Sequence, residues 1–278
     1  MKRIILAVTV LAIAGSAMAQ QSHLMGYFNF NNSPNYDKGD GHWVGPDHYH
    51  AAVPDDTFED GLWTGPSDGF IEAGSRGDLL LRSTSDGVLV FDTAKHTAPV
   101  LIRERIGDLE LDVPAQAFHQ VNAPVAAELL DWMREGLRER EADTLVDAYC
   151  GSGLFSLGLA NLAREIHGIE SNEPAAHTAR LNAERLGLGH VHVHHGRTED
   201  LLPHVLEGHR DVTLVLDPPR TGCDDTVLHA IQSNNVDRVV YVSCNPPVLA
   251  RDLARLSATY RLTTLQAFDL FPQTAHFE

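Results

Sequence analysis

From about Ala115 onward, short apolar runs alternate with segments of helical spacing, and this alternation narrows the possible folds to one class. A helical segment at 124–138 is followed by six runs that have the composition of strands. These are "TLVDAYC", "EIHGIES", "HVHVHHG", "DVTLVLDPP", "RVVYVSC" and "YRLTTLQAFDLF", with helical segments between most of them. Strands joined through helices pair in parallel, and the helices cover both faces of the sheet. The sequence therefore predicts an α/β domain with a mostly parallel sheet at 115–278.

The chain before this domain falls into three segments. Residues 1–20 have two basic residues, an apolar run and Ala-Met-Ala before Gln20, which is the layout of a secretory signal peptide. Residues 21–75 are rich in Gly, Asn, Asp and Pro without any period, which predicts a loop-rich or disordered segment. Residues 76–114 contain the runs "DLLLRS", "GVLVFD" and "LIRERIGDLELDVP", which predict a small β segment.

Charge and cysteine usage exclude some classes of function. A formal net charge of −17 argues against non-specific adhesion to nucleic acid, although a local basic groove remains compatible with it. The cysteines are Cys150, Cys223 and Cys244. Their wide spacing indicates neither a zinc site nor a disulfide framework, and free thiols are the simpler interpretation. His42, His48 and His50 can bind a metal in principle, but a solvated polar loop is favoured, and no metal site is predicted.

The segment "DAYCGSGLF" has the features of a cofactor-binding turn. Asp147 ends the first predicted strand of the domain, and Gly151 and Gly153 follow in the turn, so both glycines are candidate cofactor-binding residues. A G-x-G turn is shared by nicotinamide, flavin and S-adenosylmethionine (SAM) sites, but the missing third glycine disfavours a dinucleotide. Glu170 ends the second strand, where an acidic residue typically accepts hydrogen bonds from ribose hydroxyls.

Two further motifs follow later strands. In "LDPPRTG", the prolines at 218 and 219 stiffen the chain and hold Asp217 at the strand end. In "VVYVSCNPPVLARDL", Cys244 directly follows an apolar run. A cysteine at that place can be a packing residue, a metal ligand or a nucleophile, and the residues alone leave these alternatives open.

Five motifs together resemble one family. "AFHQVN", "DAYCGSG", "LDPPRTG", "VSCNPPVLARDL" and "DLFPQTAHFE" occur in the order found in RNA uracil-C5 methyltransferases, which form 5-methyluridine in tRNA and rRNA. The resemblance covers roughly 76–278. It implies a SAM-dependent, Rossmann-like domain in which Cys244 is the nucleophile and Glu278 is the base. It also implies four side chains in contact with SAM: Gln120, Tyr149, Glu170 and Asp217.

The implied chemistry explains why one thiol and one carboxylate are needed. A thiolate that adds to uracil C6 makes C5 nucleophilic enough to accept a methyl group, and a base then removes the C5 proton. The pKa of Cys244 should be lowered by local donors or positive charge, for which the start of the following helix and Arg251 are candidates. The target uridine of an RNA loop would be flipped out. Arg220, Arg251 and Arg255 are candidate phosphate contacts, although ordinary surface arginines are just as common.

Three expectations concern the two ends of the chain. Members of the family continue beyond the position of Glu278 into a strand that runs antiparallel between the fifth and sixth strands, so unpaired strand edges are expected beside the active site. SAM and RNA place the activity in the cytoplasm, which conflicts with a signal peptide at 1–20. An exported, catalytically inactive binding protein with a methyltransferase-like fold, or a SAM methyltransferase with another substrate, therefore stays an open alternative. No protein partner and no membrane span are predicted.

Overall fold

The computed structural model describes residues 2–8, 26–28, 58–59, 62–63, 79–84, 87–92, 100–115, 117–120 and 122–270. Before residue 100, the description covers the backbone of the strands and the side chain of Lys2. The chain divides into two compact units, one of Met1–Ala19 and Arg103–Glu278, the other of Gln20–Ile102. The predicted segment boundaries at 20, 75 and 114 remain predictions.

The described strands are β1 (Lys2–Val8), β2 (Gly26–Phe28), β3 (Phe58–Glu59), β4 (Leu62–Trp63), β5 (Leu79–Thr84), β6 (Gly87–Asp92), β7 (Leu101–Ile106), β8 (Leu109–Pro114), β9 (Ala142–Asp147), β10 (Ala163–Glu170), β11 (Val191–His195), β12 (Val212–Leu216), β13 (Val236–Ser243) and β14 (Tyr260–Ala267). The α-helices are α1 (Ala123–Leu137), α2 (Leu154–Gly158), α3 (Glu173–Arg185), α4 (Thr198–Leu206), α5 (Asp225–Ser233) and α6 (Pro246–Leu256). A 3-10 helix, Ala160–Leu162, follows α2. No described helix combines the length and apolarity that a membrane crossing requires.

The larger unit is built on a seven-stranded sheet in the order β11-β10-β9-β12-β13-β1-β14. All of its strand pairs are parallel. The six strands predicted from the sequence are β9 to β14, and the predicted α/β fold with a mostly parallel sheet is confirmed. The strand order reverses between β9 and β12, and open α/β sheets bind ligands at such a point, beyond the carboxyl ends of the strands.

Two apolar layers hold helices against this sheet. Leu145 of β9 belongs to one layer, which contains the buried side chains of α1 and α2, whereas its neighbour Val146 belongs to the layer under α4, α5 and α6. Since both faces are covered, the central strands consist of nearly continuous apolar runs; every residue of β12 is buried. This two-sided burial fixes the strand ends that carry the predicted site residues.

The place between β13 and β14 is occupied by β1. Ile5 pairs with Val240 on one side and with Thr264 on the other, and the register shifts between Ile4 and Ile5. The expectation of unpaired edges beside the fifth and sixth predicted strands is therefore wrong, because the run "KRIILAV" fills the gap, parallel to both neighbours. After Lys2 and Arg3 the run is apolar, and three of its seven residues are β-branched, which suits a strand. The interpretation of residues 1–20 as a signal peptide stays a prediction.

The remaining described strands form two smaller sheets. In the second unit, the strand order is β2-β5-β6-β4-β3, and β5 and β6 form a hairpin at the predicted runs. A separate two-stranded sheet consists of β7 and β8, in which buried and exposed residues alternate along β7. Leu109, Leu111 and Val113 of β8 pack into the apolar layer that contains α1. This packing covers one face of the sheet in the larger unit.

Candidate active site

A cavity of about 610 Å³ opens at the carboxyl ends of β9, β10, β12 and β13. Six of the eight predicted site residues line it: Gln120, Tyr149, Gly151, Glu170, Asp217 and Cys244. Gly153 is not part of this lining, and Glu278 lies outside the described residues. The motifs that the sequence spreads over more than a hundred residues thus converge on one cavity.

The turn after β9 needs glycine at two positions for different reasons. Gly151 has a φ of 53° and open space where a side chain would be, so its backbone forms part of the cavity wall. Gly153 has a φ of 101°, and a Cβ atom there would lie 2.8 Å from Cδ1 of Leu157. Gly153 therefore acts in the geometry of the turn, where α2 begins.

Glu170 connects the loop after β9 to the loop after β10 at the cavity. One carboxylate oxygen accepts a hydrogen bond from the backbone N–H of Gly151 at 2.9 Å, and the other accepts one from Asn172 at 2.6 Å. Because a carboxylate has about four acceptor positions, these bonds fix its orientation and leave acceptor capacity for a ligand.

Asp147 lies beneath the same turn and is fully buried. Its Oδ2 atom accepts hydrogen bonds from the backbone N–H and the hydroxyl of Ser156, at 2.8 and 2.7 Å. Its Oδ1 atom has no hydrogen-bond partner among the described residues. Burial raises the pKa of Asp147 to about 6, against an ordinary value of 3.8.

The segment before α1 supplies an amide and an aromatic ring to the cavity. Gln120 is only 8% exposed, and its Oε1 atom finds no hydrogen-bond partner within the described part of the chain. Buried acceptors are normally paired, so this oxygen is a candidate to accept a hydrogen bond from a ligand. The segment is held by His119, whose Nε2 atom lies 2.9 Å from Oε1 of the buried Glu104. Phe118 on the cavity wall is 62% exposed, a feature that the sequence analysis missed.

Cys244 stands between the end of β13 and the start of α6 and is half-buried. Next to it, the backbone N–H of Asn245 donates to Oγ of Ser243 at 3.1 Å, and the Asn245 amide donates to the carbonyl of Arg220 at 3.0 Å. The second bond ties the Cys244 turn to the loop that carries Asp217. These bonds place the two motifs side by side on the cavity wall.

A buried carboxylate, Asp252 of α6, is bonded to the loop after β12 and to β13. It accepts hydrogen bonds from the backbone N–H of Cys223 at 2.9 Å and from the Tyr241 hydroxyl at 2.7 Å. Arg251 donates to Asp252 at 2.8 Å and to the carbonyl of Thr221 at 2.9 Å. Arg251 thus has partners other than the Cys244 thiol or an RNA phosphate. We call these residues (Cys223, Tyr241, Arg251 and Asp252) the Asp252 network; the sequence analysis missed it, although Asp252 lies within a quoted motif.

The other cysteines, Tyr149 and two arginines differ in whether they can ionise or reach the cavity. Burial raises the pKa of Cys223 to about 12 and that of Cys150 well above its ordinary value, so both thiols stay protonated. Burial likewise raises the pKa of Tyr149, which remains a neutral phenol on the cavity wall. Arg220 lines the cavity, whereas Arg255 pairs with Asp225 outside it.

Comparison with known proteins identifies relatives of the larger unit. A model of the tRNA (uracil-5-)-methyltransferase family matches residues 102–278, well over half of the chain. An uncharacterised RNA methyltransferase of Listeria monocytogenes is 40% identical over 178 residues, which are 64% of this chain and 39% of that protein. One from Bacillus cereus is 41% identical over 187 residues, 67% of this chain and 41% of that protein. The chain thus spans about two fifths of the length of these relatives.

A solved structure supports the same relationship. The tRNA (uracil-54, C5)-methyltransferase of Pyrococcus abyssi, in complex with S-adenosyl-L-homocysteine, superposes with a TM-score of 0.55 at 26% identity. The match covers 82% of this chain and 52% of that protein. The similarity extends to the fold that positions the cavity.

Proposed function

Because the chain belongs to the tRNA (uracil-5-)-methyltransferase family, we propose that it transfers a methyl group from SAM to C5 of a uridine in tRNA or rRNA. The observation that carries this proposal is the convergence of Gln120, Glu170, Asp217 and Cys244 on one cavity at the carboxyl ends of the sheet. A cofactor pocket alone is shared by many classes of methyltransferase. The thiol beside it is what points to C5 of a pyrimidine, since N- or O-methylation requires no cysteine.

The residues of the cavity fit SAM. The Glu170 carboxylate is held by two backbone N–H groups and can accept hydrogen bonds from the ribose hydroxyls. Gln120 offers a buried acceptor without a partner in the described chain, and Gly151 leaves the backbone open to close approach. We assign Tyr149 and Asp217 to the same site because they line its wall. When bound, SAM supplies an electrophilic methyl group.

Cys244 would act on the uracil ring rather than on the cofactor. Its sulfur forms a bond to C6, and the electron pair of the C5–C6 double bond becomes available at C5 for methylation. A base then takes the proton from C5, the double bond re-forms, and the sulfur–C6 bond breaks to release the thiolate. We assign the role of base to Glu278. The two assignments together restore the enzyme at the end of each cycle.

An RNA substrate can reach this cavity only as a single, unstacked base. Phe118 presents an exposed ring on the wall, and base–aromatic stacking contributes about 1–3 kcal/mol per base. Two arginines also line the wall: Arg220, and Arg197, which pairs with Glu199. We therefore infer that the substrate is a uridine flipped out of a loop, and that the protein acts in the cytoplasm, where RNA and SAM are available.

Trapping with fluorinated RNA tests this function. A 5-fluorouridine residue cannot lose a proton from C5, so RNA that contains it should form a SAM-dependent covalent adduct with the protein that survives denaturing electrophoresis. Cys244→Ala should abolish the adduct, whereas Cys223→Ala, which removes a thiol that burial keeps protonated, should retain it. An adduct that persists in Cys244→Ala would overturn the assigned nucleophile. SAM binding without any adduct in the parent protein would favour a methyltransferase with another substrate.

A further inference from the structure

Four histidines and one glutamate form a cluster away from the candidate active site. We call Glu165, His167, His192, His194 and His209 the histidine cluster. The His167 ring lies 5.1–5.5 Å, between ring centroids, from the rings of the other three histidines. One ligand atom each of Glu165, His167 and His209 lies within 4.8 Å of the other two. None of these residues lines the cavity that contains Cys244.

The parallel sheet explains why these side chains share a face. Glu165 and His167 are two residues apart on β10 and therefore point to the same side, and His167 pairs directly with His192 of β11. His194 follows two residues later on the same strand. His209 comes from the loop between α4 and β12. The cluster thus joins two strands to a loop on one side of the sheet.

The rings of His167 and His209 each make a contact through Nδ1. Nδ1 of His167 lies 3.0 Å from Nε2 of His194, and Nδ1 of His209 lies 3.1 Å from Oγ1 of Thr144. When Nδ1 donates the proton in each of these contacts, the other ring nitrogen keeps its lone pair for a metal. In both rings the nitrogen left over is Nε2.

The Nε2 atom of His167 is a buried polar atom without a hydrogen bond. It lies 3.3 Å from a carboxylate oxygen of Glu165, but it forms no hydrogen bond with any described residue. Glu165 and His192 approach each other to 3.7 Å, and their side chains are 43% and 47% exposed. A cation can therefore enter from solvent and bind between this nitrogen, which makes no hydrogen bond with any described residue, and the Glu165 carboxylate.

We propose that Glu165, His167 and His209 bind a divalent transition cation of the zinc type, with His192 within reach as a further ligand. Imidazole nitrogens and a carboxylate are suitable ligands for Zn²⁺, at about 2.0–2.2 Å. In a tetrahedral site with such bonds, ligand atoms lie roughly 3.3–3.6 Å apart. The present separations of at most 4.8 Å are closed by small side-chain rotations. The cation would fasten the loop before β12 to β10, and its presence would revise the expectation that the chain has no metal site.

Metal titration of the full-length protein tests the proposal. The protein is prepared without a histidine tag, stripped with a chelator and titrated with Zn²⁺ by calorimetry and with Co²⁺ by visible absorption. We expect one tight equivalent of Zn²⁺ and Co²⁺ absorption bands of tetrahedral type. Because the chain contains 16 histidines, variants must locate this equivalent.

Matched variants assign the binding to the cluster. His209→Ala changes a loop residue and spares the sheet, and it should remove the tight equivalent, as should His167→Ala. His177→Ala changes an exposed histidine of α3 outside the cluster and should retain it. Zn²⁺ should raise the melting temperature of the parent and of His177→Ala, but not that of His209→Ala. Absence of tight binding in the parent, or an unchanged equivalent in both cluster variants, would overturn the proposal.

Discussion

Asp147 carries a carboxyl group whose ionisation is less favourable in the folded chain than in the unfolded one. Its pKa is about 6 in the fold and 3.8 ordinarily. Between these values the folded state holds a proton that the unfolded state has lost, so stability falls as pH rises from about 4 to 6. Above pH 6 the full penalty of about 3 kcal/mol applies.

Asp147→Asn should remove this pH dependence, because a neutral amide keeps an oxygen that accepts from Ser156. The free energy of unfolding, measured with urea between pH 4 and 7, should therefore fall less with rising pH in the variant than in the parent. Subtracting the free energy of unfolding of the variant from that of the parent at each pH cancels the effect of all other carboxyl groups. A constant difference across this range would contradict the raised pKa.

Glu170 is the residue whose loss should affect cofactor binding directly. Glu170→Ala removes hydrogen bonds to a charged acceptor and should weaken SAM binding by about 1.5–3 kcal/mol in calorimetry. Glu173→Ala, an exposed acidic residue in the first turn of α3, should leave the affinity unchanged. Equal affinities of the two variants would remove Glu170 from the proposed site.

At the scale of elements, the Asp252 network joins α6 to the loop after β12 and thereby shapes the cavity wall. Asp252→Ala should lower the free energy of unfolding by at least about 2 kcal/mol, because the backbone N–H of Cys223 and the Tyr241 hydroxyl lose a buried acceptor and each such donor costs about 1–3 kcal/mol. The control is Asp225→Ala, since Asp225 also pairs with an arginine but its side chain is 80% exposed. Asp225→Ala should lower the free energy of unfolding by at most about 1 kcal/mol. Similar losses in urea unfolding would show that burial of Asp252 is not what matters.

Some elements were predictable from the sequence because their signals are local. The strands β9, β12 and β13 are largely apolar runs, and turn residues separate them from the helices. The carboxyl ends of parallel strands necessarily meet, so Glu170, Asp217 and Cys244 could be placed at one edge. The Asp252 network and the histidine cluster depend on contacts between distant parts of the chain. His167 and His209 are 42 residues apart, and no local period relates them. Such pairs become visible only when the order of the strands is known.

At the scale of the whole molecule, β1 joins the amino terminus to the last strands of the sheet. Ile5 has strand partners on both sides, so Ile5→Pro should remove a ladder hydrogen bond and disturb both pairings. We expect a melting temperature lower by several degrees and greater self-association in light scattering, as the edges of β13 and β14 become available. Ile5→Val keeps the backbone donor and a β-branched side chain, and should leave both properties near the parent values. A parent-like Ile5→Pro variant would contradict the pairing of β1.

β1 is synthesised long before the strands with which it pairs. Its partner β13 begins at residue 236, so at synthesis rates of about 5–20 residues per second the segment waits roughly 10–50 s for that strand. During this interval the same residues have the layout of an export signal and are free of their strand partners. Cleavage after Ala19 would remove β1 altogether, whereas pairing within the sheet would hide it from the export machinery. If the predicted signal peptide were used for export, secretion and completion of the sheet would exclude each other, because export removes the strand that the sheet requires.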